Sequence, residues 1–277
     1  MIIVPILLYH SVSADPAGWI APFAVDPPTF ARHVELMAAS GRTPMTAASL
    51  TDALREGRAL PARPLVVTFD DGFADFADAA PVLAARHIPC TLYVTTGALR
   101  GPHLSDRLCL PPARMLAWSQ LAELTGYDIE IAAHTHTHPQ LDTLREQAAA
   151  AEIHRCKDLL EDATGQQIRS FAYPHGFHSP RVRRQARAAG YTGAAAVGDS
   201  FSSDADDRFA LARLTVRSTT TIDELTAWLS GRDAHIAPRP EAWRTKLWRT
   251  YRRLRGPRST RGVITLPDQP SRSPGGI

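Results

Sequence analysis

Asp70 and Asp71 stand side by side at the end of an apolar run, and His134 and His138 follow later, four positions apart. Two acids and two imidazoles in that pattern suggest one metal site with a carboxylate base beside it. The run Pro64-Leu65-Val66-Val67-Thr68-Phe69 is apolar, β-branched and aromatic, and reads as a buried strand. Adjacent carboxylates at such a strand end cost free energy unless positive charge offsets them. A divalent cation would supply it. The plainer alternative is that Asp70 and Asp71 cap the helix that follows.

The segment His134-Thr135-His136-Thr137-His138 precedes Pro139, which disfavours helical geometry at His138. The i, i+4 spacing therefore does not lie on a metalloprotease-like helix. It reads as a turn at a strand end that folds two rings toward one point, with the third histidine directed elsewhere. Two histidines and one carboxylate form a zinc triad with open positions for water and substrate. Water bound there becomes a nucleophile near neutral pH. Zinc is the metal such a donor set suits best, although cobalt, nickel or manganese fit it too.

Strands and helices must alternate to position these groups, and the sequence predicts that they do. Asp26 with Pro27 and Pro28 opens a helix carrying Phe30, Val34 and Met37, and Gly41 ends it. Thr46 caps a second helix that reaches Gly57. A third spans about 73–86, a strand covers 89–94, and Ser119 caps a short helix with Leu121 and Leu124. A strand over 128–132 leads to a long helix over about 142–163 that ends at Gly165. A strand over 168–172 precedes a helix from Ser179-Pro180 to Gly190, then strands over 191–197 and 211–216. Thr221 caps a last helix through Leu229. The rhythm predicts parallel pairing in a barrel or doubly wound sheet. The stretch 97–113, rich in Pro and Leu, is expected as a long loop over one side of a cleft.

The 277-residue chain is 44% hydrophobic and 21% charged, the composition of a globular protein rather than a disordered or membrane-spanning one. Cys90, Cys109 and Cys156 are too scattered for a disulfide framework or zinc knuckle, which favours a reducing compartment. The N-terminal run Met1 to Leu8 lacks a basic region before it and reads as a strand, not a signal peptide, so the expected location is cytoplasmic. Net charge is +3, yet residues 239–261 hold nine bases and one acid, so the rest is net acidic. The fold itself gives no reason to expect a nucleic-acid partner. Trp243, Leu247, Tyr251 and Leu254 share a helical stripe among those arginines. That predicts a basic amphipathic helix for an anionic membrane surface, or one that packs back on the acidic domain, with disorder after Gly256. The expected division is a domain over 1–235 and an extension over 236–277.

The ordered motifs Thr68-Phe69-Asp70-Asp71-Gly72, His134 to His138 with Pro139 and Leu141, Phe171-Ala172-Tyr173-Pro174-His175-Gly176 and Ala189-Gly190-Tyr191 resemble the NodB-homology polysaccharide deacetylases, carbohydrate esterase family 4. The resemblance covers about residues 1–231. It implies a distorted (β/α) barrel that removes the acetyl group of an N-acetylated sugar; the expected substrate is a polysaccharide, an oligosaccharide or, given the basic tail, a lipid-linked sugar. It further implies that Asp71, His134 and His138 bind the metal, that Asp70 is the general base, and that the His175 backbone amide faces the oxyanion.

Two departures matter. No Leu-x-His motif follows Leu211, where many members place the general acid; Leu7-Leu8-Tyr9-His10-Ser11 instead resembles a permuted branch whose acid is the histidine of the first strand, here His10. Ala172 replaces the arginine that commonly pairs with the base, so the partner of Asp70 is undefined by sequence. His136 and His178 are spare candidates for supporting roles. Competing functions are another amidohydrolase on the same fold, a sugar acetyl esterase, or a silent carbohydrate-binding protein.

Overall fold

The computed structural model describes residues 1–238. The chain enters as β1 (Ile3–Val4) and β2 (Ile6–Tyr9), interrupted at Pro5, which has no amide hydrogen for a ladder. The short strands β3 (Ser11–Val12) and β4 (Ala24–Val25) pair with each other. Helix α1 (Pro27–Ala39) starts where the Asp26 carboxylate accepts the Thr29 amide, and it buries Phe30, His33, Val34 and Met37. After β5 (Thr43–Met45), Thr46 caps α2 (Ala47–Glu56) through the Ser49 amide, and Gly57 closes it at φ 65°. Next come β6 (Pro64–Phe69), α3 (Phe76–Ala84), β7 (Cys90–Val94), α4 (Trp118–Leu124) and β8 (Ile129–Ala133). Helix α5 (Glu146–Thr164) leads to β9 (Ser170–Ala172). Ser179 then caps α6 (Pro180–Ala188). The strands β10 (Gly193–Ala195), β11 (Ser200–Ser203) and β12 (Leu214–Thr215) follow, then α7 (Ile222–Leu229) capped by Thr221, and β13 (His235–Ile236).

The principal sheet runs β10-β9-β8-β7-β6-β2-β12, with β5 also on β6, and all its pairs are parallel. It curls until its ends meet. The Ala194 amide bonds the Arg208 carbonyl at 2.8 Å, and the Ala196 amide bonds the Leu211 carbonyl at 2.7 Å, so the segment before β12 bridges to β10. The result is a distorted (β/α) barrel.

Side chains alternate across its wall. Leu7, Tyr9, Leu65, Val67, Phe69, Leu92, Val94, Ile131 and Phe171 face outward into the core beneath the helices. Ile6, Val66, Tyr93, Ala132, Ala172, Ala195 and Leu211 face inward and pack on Ala47, Leu50 and Ala53 of α2. Helix α2 thus plugs the barrel at the N-terminal ends of the strands, where its first amides bond the Thr91 hydroxyl and the Glu130 carboxylate, each at 2.9 Å. The opposite mouth is left for chemistry. The inward parity passes straight through the strand ends to His10, Asp70 and His134, and it includes Arg213 just before β12.

Several expectations are corrected. Helix α3 begins at Phe76 rather than 73, so Asp70 and Asp71 do not cap it; residues 73–75 are instead tied to the covering loop through a Phe73–Met115 bridge and an Ala74 amide bond to the Arg114 carbonyl. Ser119 lies inside α4, whose cap position is Ala117, because the Gln120 side chain reaches back to the Ala117 amide at 2.9 Å. The long helix starts at Glu146, after a 3-10 turn over Leu141–Thr143. Short β11 and β13 have no clear periodic signal, yet they pair beside β1 and carry the fold past α7. The basic amphipathic helix expected around Trp243 to Leu254 and the disorder expected from Gly256 on lie outside the described residues.

Candidate metal centre and active site

Neighbouring residues of a strand point to opposite faces, yet the Asp70 and Asp71 carboxylates both approach His134 Nε2, at 3.7 and 3.5 Å. The backbone explains how. Asp70 continues the ladder, its amide bonding the Tyr9 carbonyl at 3.0 Å. Asp71 then turns left-handed at φ 73°, followed by Gly72 at φ 89°. The turn swings the Asp71 carboxylate back over the mouth beside that of Asp70.

His134 follows β8 with inward parity. Thr135 (φ 68°) and His138 (φ 60°) are also left-handed, so the segment reverses and brings the second ring back. The His134 and His138 rings stand edge to face with centroids 4.9 Å apart. His134 Nε2 lies 3.5 Å and His138 Nε2 3.2 Å from Asp71 Oδ1. One ligand atom each from Asp71, His134 and His138 falls within 4.8 Å of the others. All three residues are buried.

These residues fit a divalent metal on their own chemistry. Buried Asp71 Oδ1 faces the His134 and His138 Nε2 atoms and makes no well-aligned hydrogen bond among the described residues, an arrangement that suits a cation. His134 Nδ1 sits 2.8 Å from the Ala172 carbonyl, which can only accept, so Nδ1 carries the proton and Nε2 presents its lone pair to the centre. Burial lowers the His134 pKa to about 4, with Asp70 opposing and His138 reinforcing the shift, which keeps the ring a neutral ligand. Burial pushes the Asp71 carboxyl up, but His138, His134 and His10 outweigh it and hold it well below the ordinary carboxylate range.

Asp70 has its own partner. Arg213, fully buried, forks onto it with Nη1 to Oδ1 at 2.6 Å and Nη2 to Oδ2 at 2.8 Å. The guanidinium also donates to the Ala196 carbonyl at 2.9 Å and the Thr68 hydroxyl at 3.2 Å. Burial raises the Asp70 carboxyl, while Arg213 and then His134 overcome it and keep it ionised. Arg213 is the functional residue that sequence reasoning missed. The signal is a charge inside the apolar run Leu211 to Val216, where Leu211-Ala212-Arg213 stands in place of a Leu-x-His motif. Small Ala172 and Ala195 line the lumen, and Arg213, just before β12, supplies the guanidinium that position 172 lacks.

His10 follows β2, whose Tyr9 pairs with Phe69, so it lies across from Asp70. Its Nδ1 is buried without a hydrogen-bond partner among the described residues, and its ring packs on Phe23 at 5.3 Å. Burial lowers its pKa, while the fields of Asp71 and Asp70 favour the protonated ring. His175 occupies a left-handed turn at φ 57° with its ring 4.7 Å from that of His138. His136 turns away: its Nδ1 lies 3.0 Å from the Thr96 hydroxyl. His178 packs on Tyr173 at 5.0 Å. The structure thus brings His10, Asp70, Asp71, His134, His138 and His175 to one mouth of the barrel, and leaves His136 and His178 outside the cluster.

Residues 57–194 match the family model described as polysaccharide deacetylase. The chain belongs to the polysaccharide deacetylase family. It is 26% identical over 188 residues to the putative polysaccharide deacetylase YxkH of Bacillus subtilis (strain 168), a match covering 68% of this chain and 62% of that relative. The fold is that of Streptococcus pyogenes deacetylase PplD, solved in complex with acetate, at a TM-score of 0.71 and 22% identity over 81% of this chain and 96% of that one. It is likewise that of a de-N-acetylase from Aggregatibacter actinomycetemcomitans, at a TM-score of 0.70 and 19% identity over 80% and 98%. Within this deacetylase family the barrel is of the NodB-homology type.

Proposed function

We propose that this chain is a metal-dependent hydrolase that removes N-acetyl groups from an N-acetylhexosamine-containing polysaccharide, oligosaccharide or lipid-linked sugar. The observation that carries the reading is the pairing of two unlike carboxylates. Asp71 is aimed at two imidazole nitrogens, whereas Asp70 is held ionised by Arg213 beside them. Asp71, His134 and His138 would hold the metal, with zinc the best match to two nitrogens and one oxygen. When bound, the metal supplies an acidified water and a polarised carbonyl oxygen.

The chain's own residues do the rest. Asp70 accepts a proton from the attacking water, and Arg213 keeps that carboxylate in place and anionic until it does. His10, across the mouth, gives a proton to the leaving amine as the amide C–N bond breaks. The His175 backbone amide donates to the oxyanion. The products are acetate and the free amino sugar. Names of relatives agree with this reading, one being a de-N-acetylase and another solved with acetate.

The test is acetate release from a panel of N-acetylhexosamine oligosaccharides, lipid-linked sugars and O-acetylated sugars, with added Zn²⁺ and with Asp70→Asn as control. Release from the N-acetyl members that needs both metal and Asp70 supports the proposal. Release confined to the O-acetyl members would replace it with an esterase. No release from any member, with metal bound, would overturn it.

A further inference from the structure

The turn that carries both histidine ligands is held at every peptide, and the part on its outer side comes from α5. The Glu152 carboxylate receives three hydrogen bonds from it: the His136 amide at 2.9 Å and the Thr137 amide at 2.8 Å, both to Oε2, and the Thr137 hydroxyl to Oε1 at 2.7 Å. Two successive amides converging on one oxygen form an anion-binding nest. Here the anion is a side chain of the protein itself. On the other side the carbonyls are taken up by the loop that follows β7. The Thr96 amide bonds the Thr135 carbonyl at 3.2 Å, the Gly97 amide bonds the His136 carbonyl at 2.8 Å, and the Cys109 amide bonds the Thr137 carbonyl at 2.8 Å. The Thr135 hydroxyl closes the turn by accepting the His138 amide at 3.0 Å.

A turn with threonine and histidine at positive φ does not hold itself in that shape; surrounding contacts must impose it. Glu152 is the acceptor for the two amides midway between the ligands, and it is fixed by the buried face of α5 at Ala149, Ile153 and Cys156. We infer that Glu152 is a positioning residue for the metal site: it sets the His134-to-His138 spacing before metal arrives, though it touches neither metal nor substrate. The inference rests on the metal-site reading above, not on the identity of the sugar.

The network distinguishes hydrogen bonding from charge. In Glu152→Gln one amide oxygen still accepts both backbone N–H groups, and the amide nitrogen can donate to the Thr137 hydroxyl. In Glu152→Ala both N–H groups lose their acceptor. The experiment is Zn²⁺ affinity of the full chain by chelator competition, with the Co²⁺ absorption spectrum as a second readout, for wild type, E152A, E152Q and T137V. Loss of such an outer contact weakens metal binding by roughly 10–100-fold. That loss is expected for E152A, with an altered Co²⁺ spectrum. E152Q should stay within about threefold of wild type, and T137V, which removes only the hydroxyl donor, should fall between them. Should E152A fail to fold, T137V and E152Q still decide. Wild-type affinity in E152A, or in T137V when E152A does not fold, overturns the inference, as does an E152Q loss as large as that of E152A. Because affinity is read without turnover, a protein that binds Zn²⁺ in this ranked order but releases no acetate would sink the proposed reaction and leave this inference standing.

Discussion

Arg213 and Asp70, 143 residues apart in sequence, form a two-pronged ion pair inside the barrel. Both partners are buried, so neither can fall back on water for its charge. Removing one strands the other, a change that costs about 3–5 kcal/mol. Arg213→Ala should destabilise the protein on that scale in urea denaturation. It should also raise the Asp70 pKa, because the charge that lowers it is gone. The acid limb of kcat/KM then moves to higher pH, since the base becomes protonated sooner. Arg213→Lys keeps a charge but loses the fork, and should recover stability better than rate. An acid limb that stays in place in R213A would refute the assignment.

Metal removal should act on stability as well as on turnover. A ligand that binds only the folded state stabilises it by RT ln(1 + [L]/Kd), about 2.7 kcal/mol at 100 Kd. Chelation of the wild-type protein should therefore lower its melting temperature and stop acetate release, and Zn²⁺ should restore both. In His134→Ala and His138→Ala the metal-dependent rise in melting temperature should vanish. A rise equal to wild type in both variants would place the metal elsewhere.

His33 should make the fold acid-sensitive. Its buried ring bonds the Tyr9 hydroxyl at 3.1 Å, and burial, opposed weakly by Asp26, lowers its pKa from 6.5 to about 4. Between those values the unfolded chain binds a proton that the folded chain does not. Stability due to this group is therefore complete above about pH 6.5, declines as pH falls toward 4, and declines no further below it, for a total on the order of 3 kcal/mol. His33→Gln should flatten the fall in unfolding free energy between pH 7 and pH 4 relative to wild type. An unchanged slope would show that His33 is not among the responsible groups.

Gly97 should tolerate no side chain. A Cβ there would lie 2.5 Å from the His136 carbonyl oxygen and 3.0 Å from the Ser105 Cβ. Gly97→Ala must push the histidine turn or the covering loop aside, an overpacking that typically costs 1–3 kcal/mol. The expected outcome is a lower unfolding free energy together with weaker Zn²⁺ binding. Gly126→Ala, where nothing lies within 4 Å, is the matched control and should bind Zn²⁺ as wild type does.

Much of this was legible in the chain because it is local. Asp26, Thr46, Ser179 and Thr221 each accept an amide within their own first helical turn, so the cap residue marks the boundary by itself. The apolar run before Asp70 is inward and outward by strict alternation, so the parity of the base follows from counting. Helix starts failed where the governing contact was not local. The α3 boundary was set by Phe73 and Ala74 joining the segment around Met115, and the α4 boundary by a side chain reaching back to Ala117.

By itself the sequence determined the alternating elements, the acidic pair, the histidine pair and the parity that turns Asp70 and His134 to one mouth, since these depend on residue types a few positions apart; left-handed turns bring Asp71 and His138 to the same mouth. Only the tertiary structure decided which charge holds Asp70, which of the three histidines turns away, and what fixes the turn between the other two. Arg213, Thr96 and Glu152 meet their partners across strands and helices whose relative placement comes from barrel closure, and no spacing along the chain encodes a distance set by that closure.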